Sequence, residues 1–429
     1  MSKTNPLDLP EIRLSIAEHL REVDLVRCLR VCWSWHDTFL PLDLYMMDWS
    51  GNYPFVFPRM QYLFFRLSHA ITPSPANYPA LFIVRNQSLV KLHIRNLNSN
   101  IDYQLWKVLQ ELPHLKELGL EESSIQEDDT VRFWTVCENL ENLLLKEVTF
   151  PEGATPHASR CFWNIRKLQL YGVDGIELEE QFRFISACPN LEDLVWYSIF
   201  TVDLEDGLED DGDMGGPYFE EFAKDIDLQD RFSALIFQAL QRHFSHLVEL
   251  EVEARDEVAS KQLQIILCSC PALKKLVGGG VLAKDVVEGK PWVCLSLQSL
   301  VICFMFCGTE QHLQPLIFER LAKLTRLEYL FSGTAKAYFQ EKYTVPLQFC
   351  LESGLDALSG LWRMNCFTTR GDSTFLGESE LRWMLVHWKD LISVSAEANI
   401  DDDKKIELEN LFKSRGIRLE TSAQNWWSQ

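Results

Sequence analysis

The sequence predicts an α/β chain, with a short all-helical module at the N-terminus and a long solenoid of strand-helix repeats behind it. Three observations lead there. Apolar residues at helical spacing crowd the first forty positions. A phrase of the form apolar-x-x-apolar-x-apolar then recurs about every 25 residues. Ahead of several copies, a helical stretch stops at Pro or Cys-Pro. Parallel strands are expected on the concave side of the array and helices on the convex side.

The N-terminal stretch runs from Asn5 to Pro41. Pro10 suits the opening of a helix, because its missing N–H is not needed there and its φ is already set. Ile12, Ile16 and Leu20 recur every four residues and share one face. Asp24 supplies an N-cap for a second helix through Leu25, Leu29 and Cys32. Ser34 caps a third, carrying Trp35 and Phe39. Three helices this short cannot bury their apolar faces on one another alone. Some of that surface is left for a partner.

Leu9-Pro10-Glu11-Ile12, then Ile16, Leu20, Asp24-Leu25, Val31-Cys32 and Trp35, resembles the F-box in residue type, order and spacing. The resemblance implies a module that docks on the adaptor subunit of an SCF-type (cullin-RING) ubiquitin ligase. Carried over residue by residue, it implies a docking face formed or supported by Leu9, Pro10, Ile12, Ile16, Leu20, Leu25, Val31, Cys32 and Trp35. The boundaries expected are 1–41 for this module, 42–88 for a packed connector, 89–420 for the solenoid and 421–429 for a tail.

The chain has 429 residues, 47% of them hydrophobic and 12% aromatic, ample for a large core. It carries 41 basic and 62 acidic side chains, a net charge of −21. That excess repels phosphate backbones and anionic lipid, so neither nucleic acid nor a membrane surface is an expected partner. The N-terminal MSKTNPLDLPE lacks the apolar core of a secretion signal. The apolar window from Val293 to Cys307 is too short to span a bilayer. The 12 cysteines form no CxxC pair, and Cys137, Cys188 and Cys270 sit among apolar residues, as buried thiols do in a reducing compartment. An intracellular location, cytoplasmic or nuclear, is therefore expected.

In the connector, aromatics such as Trp49, Tyr53, Phe64 and Phe65 alternate with Pro54, Pro58, Pro73, Pro75 and Pro79, and residues 60–70 read as a helix. The repeats follow. Copies begin at Leu89 (LVKLHI), Leu115, Leu140, Ile165 and Leu191, in steps of 26, 25, 25 and 26 residues. Later copies begin at Leu247, Leu273, Leu297 and Leu327, with degenerate ones at Leu361 and around Trp388 and Leu391. Helix, proline and short strand at this period make one turn of a leucine-rich repeat solenoid. Period and preceding cysteine resemble the irregular leucine-rich repeats that often follow an F-box.

The step from Leu191 to Leu247 is 56 residues and contains VDLEDGLEDDGDMGGP, residues 202–217. Like charges this dense with four glycines read as a disordered acidic insertion. A long amphipathic helix is expected over 218–244, and a polar helix from Asp401 to Ser414 precedes a last strand, Ile417 to Glu420. Trp426 and Trp427 read as a lid on the open end.

No nucleophile elbow, zinc-protease, P-loop or dinucleotide motif is present, and no catalytic residue, cofactor or metal is expected. Gly278-Gly279-Gly280 lacks the Lys-Ser/Thr of a phosphate loop and reads as a turn. His243 and His246 have the spacing of a metal pair but lack further ligands, and read as a partly exposed helix face.

Alternation along each strand sets the side chains between the buried leucines on the open face. The substrate-facing candidates are Lys91, His93, Arg95, Lys167, Tyr171, Tyr197, Glu249, Glu251, Glu253, Tyr329 and Phe331. The function this implies is substrate recognition for the ligase: the helical module holds the adaptor and the cullin-RING core behind it, and the repeats hold an unknown protein substrate. The alternative is a leucine-rich repeat scaffold or regulator acting outside a ligase.

Overall fold

The structure, a computed structural model, describes residues 47–48, 62–66, 83–84, 86–97, 103–156, 160–197, 235–252, 257–333, 344–370, 376–398 and 400–421. The predicted helical module, the acidic segment 202–217 and the tail with Trp426 and Trp427 lie outside the described residues. The chain forms two compact units, Met1–Pro189 with Ser198–Gly207, and Asn190–Tyr197 with Leu208–Gln429.

In the first unit six strands lie side by side in sequence order: β1 (Met47–Asp48), β2 (Tyr62–Arg66), β3 (Lys91–Arg95), β4 (Glu117–Ser124), β5 (Asn142–Thr149) and β6 (Lys167–Tyr171). All pairings are parallel. The register sets one leucine of every phrase opposite the next, Leu63, Leu92, Leu118, Leu143 and Leu168, with Ile94, Leu120, Leu145 and Leu170 in the row beside them. All nine are at most 2% exposed. β2 lies where the sequence reads a helix, because Leu63 enters this ladder and the sheet bonds outweigh local helical spacing.

Helices α1 (Tyr103–Glu111), α2 (Glu127–Cys137) and α3 (Leu178–Ser186) follow β3, β4 and β6. Glu127, Asp128 and Asp129 in the first turn of α2 complement its positive end. Among its described residues the repeat that opens at Leu140 has no helix, and Pro151 and Pro156 disfavour one. Aromatic rings fill the space instead. Trp134 stacks on Phe150 at 5.8 Å and meets Phe184 edge-on at 5.0 Å, and Phe162 meets Phe184 at 4.9 Å. Trp134 Nε1 donates to the Ala154 carbonyl at 3.2 Å, which satisfies the one polar atom this ring buries.

Just past the displayed positions of each strand the backbone turns through the left-handed region at Asn96, Glu122, Glu147 and Gly172 (φ 62°, 47°, 54° and 55°). These occupy the same place in four successive repeats. The turn returns the next residue to the core side, where Leu97, Ser123, Val148 and Val173 are buried. Ser123 is the polar member of that row; its hydroxyl donates to the Glu121 carbonyl at 2.6 Å and accepts from Leu97 N–H at 3.1 Å.

The second unit continues the pattern with β7 (Asp193–Tyr197), β8 (Glu249–Val252), β9 (Lys275–Leu282), β10 (Ser299–Cys307), β11 (Tyr329–Gly333), β13 (Cys366–Arg370), β14 (Ser393–Ser395) and β15 (Arg418–Glu420), parallel and adjacent in that order. A short strand, β12 (Thr344–Pro346), pairs antiparallel with the end of β10. Leu194, Leu250, Leu276, Leu300, Leu330, Phe367 and Val394 form the ladder, each 0% exposed. β7 and β8 pair directly although their phrases stand 56 residues apart in sequence (247 − 191). β13 sets Met364, not Leu361, in the phrase-opening place, since Cys366 lies opposite Tyr329. Leu361 takes the buried place three residues earlier.

That earlier place is occupied by Cys270, Cys294, Leu324, Leu361 and Trp388 ahead of five phrases of this unit, all at most 1% exposed. Burial pushes the Cys270 and Cys294 thiols up to about 12, so they act as small apolar side chains. Helices of this unit include α4 (Glu257–Ser269), α5 (Ala283–Glu288), α6 (Gln314–Leu321), α7 (Glu378–His387) and α8 (Asp402–Ser414). The last matches the sequence reading within one residue. Buried Glu380 locks α7 in place: its carboxylate accepts from Gly377 N–H at 3.1 Å and, across the preceding connection, from Leu351 N–H at 3.2 Å.

Two substitutions probe these constraints. Glu147 is exposed, and its left-handed backbone suits Asn better than Glu. Glu147→Asn should raise stability by roughly 0.5–1 kcal/mol in denaturant unfolding. Glu380→Ala strands the Leu351 N–H and should lower it by roughly 2 kcal/mol by the same measurement.

Candidate interaction surface

On the open face of the first unit the strands present three rows. Lys91, Glu117, Asn142 and Lys167 stand opposite one another, as do His93, Gly119, Leu144 and Gln169, and Arg95, Glu121, Lys146 and Tyr171. The predicted residues Lys91, His93, Arg95, Lys167 and Tyr171 therefore share one surface. Several of its charges are paired. Lys91 Nζ lies 2.9 Å from Glu117, and Asn142 Nδ2 donates to the same carboxylate at 3.0 Å. Burial pushes the Glu117 carboxyl up, but these two donors outweigh it and hold the group below its ordinary value. Arg95 pairs with Glu122, at the left-handed turn of the next repeat.

The His93 imidazole lies against Gly119. A Cβ there would stand 2.4 Å from Nε2, so with any other residue the ring would have to lift away. Burial lowers the His93 pKa, and the Glu117 carboxylate at 3.9 Å opposes that only in part. The alternation rule places His93 on this face but carries no sign of its glycine partner.

The face of the second unit differs. β7 and β8 present Asp193, Val195, Tyr197, Glu249 and Glu251, and β9 adds Lys275 and Val277. Tyr197 OH donates to Glu251 Oε1 at 2.6 Å, and Lys275 Nζ lies 2.9 Å from Glu251 Oε2, so both oxygens of that carboxylate are engaged. Beyond β9 come Ser299 and Val301, then Tyr329 and Phe331, Cys366 and Thr368, and Ser393 and Ser395. Tyr329 and Phe331 are half-buried and on the same face as Tyr197, Glu249 and Glu251. Val277, Ser299 and Val301 were not singled out from the sequence, although the same alternation in the copies at Leu273 and Leu297 marks them.

Glu253 lies outside the described residues, as do Leu9, Pro10, Ile12, Ile16, Leu20, Leu25, Val31, Cys32 and Trp35. Two expectations are corrected. Gly278, Gly279 and Gly280 run inside β9, not in a turn; a Cβ on Gly278 would stand 2.9 Å from Leu263 Cδ2 of α4, so glycine lets that helix pack close. His243 is 0% exposed rather than on an open helix face, in a 3-10 turn with the His246 ring 5.6 Å away. Among the described residues no three His, Cys, Asp or Glu side chains are grouped to hold a metal ion, and no helix is long and apolar enough to cross a membrane.

The depressed His93 pKa has a measurable consequence. The imidazole should titrate with a midpoint below 6.5 by NMR, and its contribution to stability should be lost as pH falls through the range beneath that value. Gly119→Ala, which lifts the ring toward water, should move the midpoint back up.

No family model matches the chain, and no curated protein matches it. Among solved structures, the TLR13–ssRNA13 complex is 14% identical with a TM-score of 0.38, over 85% of this chain and 47% of that one. The leucine-rich repeat ectodomain of the Arabidopsis receptor kinase HAESA, bound to an extended IDA peptide hormone, is 11% identical with a TM-score of 0.30, over 75% of this chain and 54% of that one. The chain thus spans about half the length of the solved structures it is similar to.

Proposed function

We propose that this chain is the substrate-recognition subunit of an SCF-type ubiquitin ligase. In this reading residues 5–41 hold the adaptor, and the open strand faces hold the target protein. The observation that carries it is the ordered set Leu9-Pro10-Glu11-Ile12, Ile16, Leu20, Leu25, Val31-Cys32 and Trp35, which resembles the F-box in both type and spacing. The repeat array supports it from the other side. A sheet whose buried rows are leucine leaves an ordered, variegated row of polar and aromatic side chains outside, which is what a protein target needs for recognition.

On this account the subunit performs no chemistry on the target. It raises the effective concentration of a bound lysine near the ubiquitin donor carried by other subunits. Without an adaptor site, the same strand faces fit a scaffold or regulator outside a ligase, and one experiment separates the two. The full chain should co-purify with the ligase adaptor, and deletion of residues 5–41 should abolish this. Pro10→Asp, Ile16→Asp and Leu20→Asp should do the same while the circular dichroism of the repeats is unchanged. Adaptor binding that survives the deletion would sink the ligase reading.

A further inference from the structure

We infer that the open face of the second unit takes a polypeptide segment presenting a basic residue roughly 14 Å from a bulky apolar anchor. The inference deepens the reading above and rests on it only in that this face captures a protein.

The face changes character across its width. β7 and β8 contribute three carboxylates, Asp193, Glu249 and Glu251, and β9 a single ammonium, Lys275. The displayed positions of β10, β11, β13 and β14 named above carry no charge. Val277, Val301 and Phe331 stand opposite one another on three consecutive strands, each half-buried, with Tyr329 beside them. An apolar strip of this kind excludes water best when an apolar side chain covers it.

The acid edge adds the second requirement. Lys275 stands opposite Glu249 in register, yet its ammonium reaches Glu251, which Tyr197 also holds. Glu249 has no ion pair among the described residues. A half-buried carboxylate next to an apolar strip favours an incoming cation, since the strip lowers the local dielectric. Strands lie about 4.8 Å apart, so β8 and β11 are separated by roughly 14 Å, which sets the distance between the basic group and the apolar anchor in the ligand. A second copy of this chain does not fit, because its net charge of −21 opposes approach to an acidic edge. Nucleic acid is excluded on the same ground.

The test pans a random-peptide library displayed on phage against the full chain. Enriched peptides should combine Lys or Arg with Trp, Phe or Leu and bind more weakly as salt rises. Glu249→Lys should weaken them about tenfold or more, and Phe331→Ser should do so independently. Glu249 leaves no buried partner stranded when replaced, so it keeps the test valid if Phe331→Ser fails to fold. No enrichment over an unrelated protein, enriched peptides without basic residues, or binding indifferent to Glu249→Lys would each overturn the inference. Adaptor co-purification of the same variants should be unchanged. Peptide binding without adaptor binding would remove the ligase reading and leave this one standing, and the reverse result would do the opposite.

Discussion

Burial of the leucine ladder is the constraint from which the rest of each unit follows. One strand with one helix exposes an apolar row on both flanks and has no core of its own. Stacked at parallel register, Leu92 is covered by Leu63 and Leu118, and Leu276 by Leu250 and Leu300. Everything outside the ladder is comparatively free. Helices can shorten, as α5 does, or be replaced by packed rings, as around Phe150 and Phe162, provided the volume behind the sheet stays filled.

That division explains the two kinds of surface. In the first unit the open rows are stitched by ion pairs and amide bonds, with Glu117 held by Lys91 and Asn142, and with His93 laid on Gly119. Exposed pairs of this sort add little to stability, but they fix side-chain positions and so fix a recognisable pattern. In the second unit the carboxylates gather on two strands and then give way to an uncharged strip. The two faces invite different chemistry although each is carried by the same kind of ladder.

Most of the repeat architecture was legible because its signal is periodic. The phrase starting at Leu89 located β3, and its successors located every strand as far as β11 to within the alternation rule. Legibility failed where the governing interaction lies across strands. β2 reads as helix from its own residues and becomes strand only beside β3. The frame around Leu361 slips by three because Leu361 and Met364 are equally apolar, and only the pairing of Cys366 with Tyr329 decides. The three glycines of β9 are ambiguous until Leu263 is seen behind them. On the candidate face, alternation found the side chains but not their partners: nothing in the phrase says that Lys275 would choose Glu251 over Glu249.

The neighbour-only connectivity of the strands bears on how such a chain ages and fails. Among the described residues the parallel strands of each unit bond to the ones immediately before and after them in the array, with the short β12 on the end of β10 as the exception, so few long-range constraints tie one coil to a distant one. Damage to a coil in the middle therefore loosens its two flanks and fades with distance, instead of melting the whole. Amide exchange would rise in a local trough around the lesion, and a protease would find a single nick site before it found a collapsed molecule.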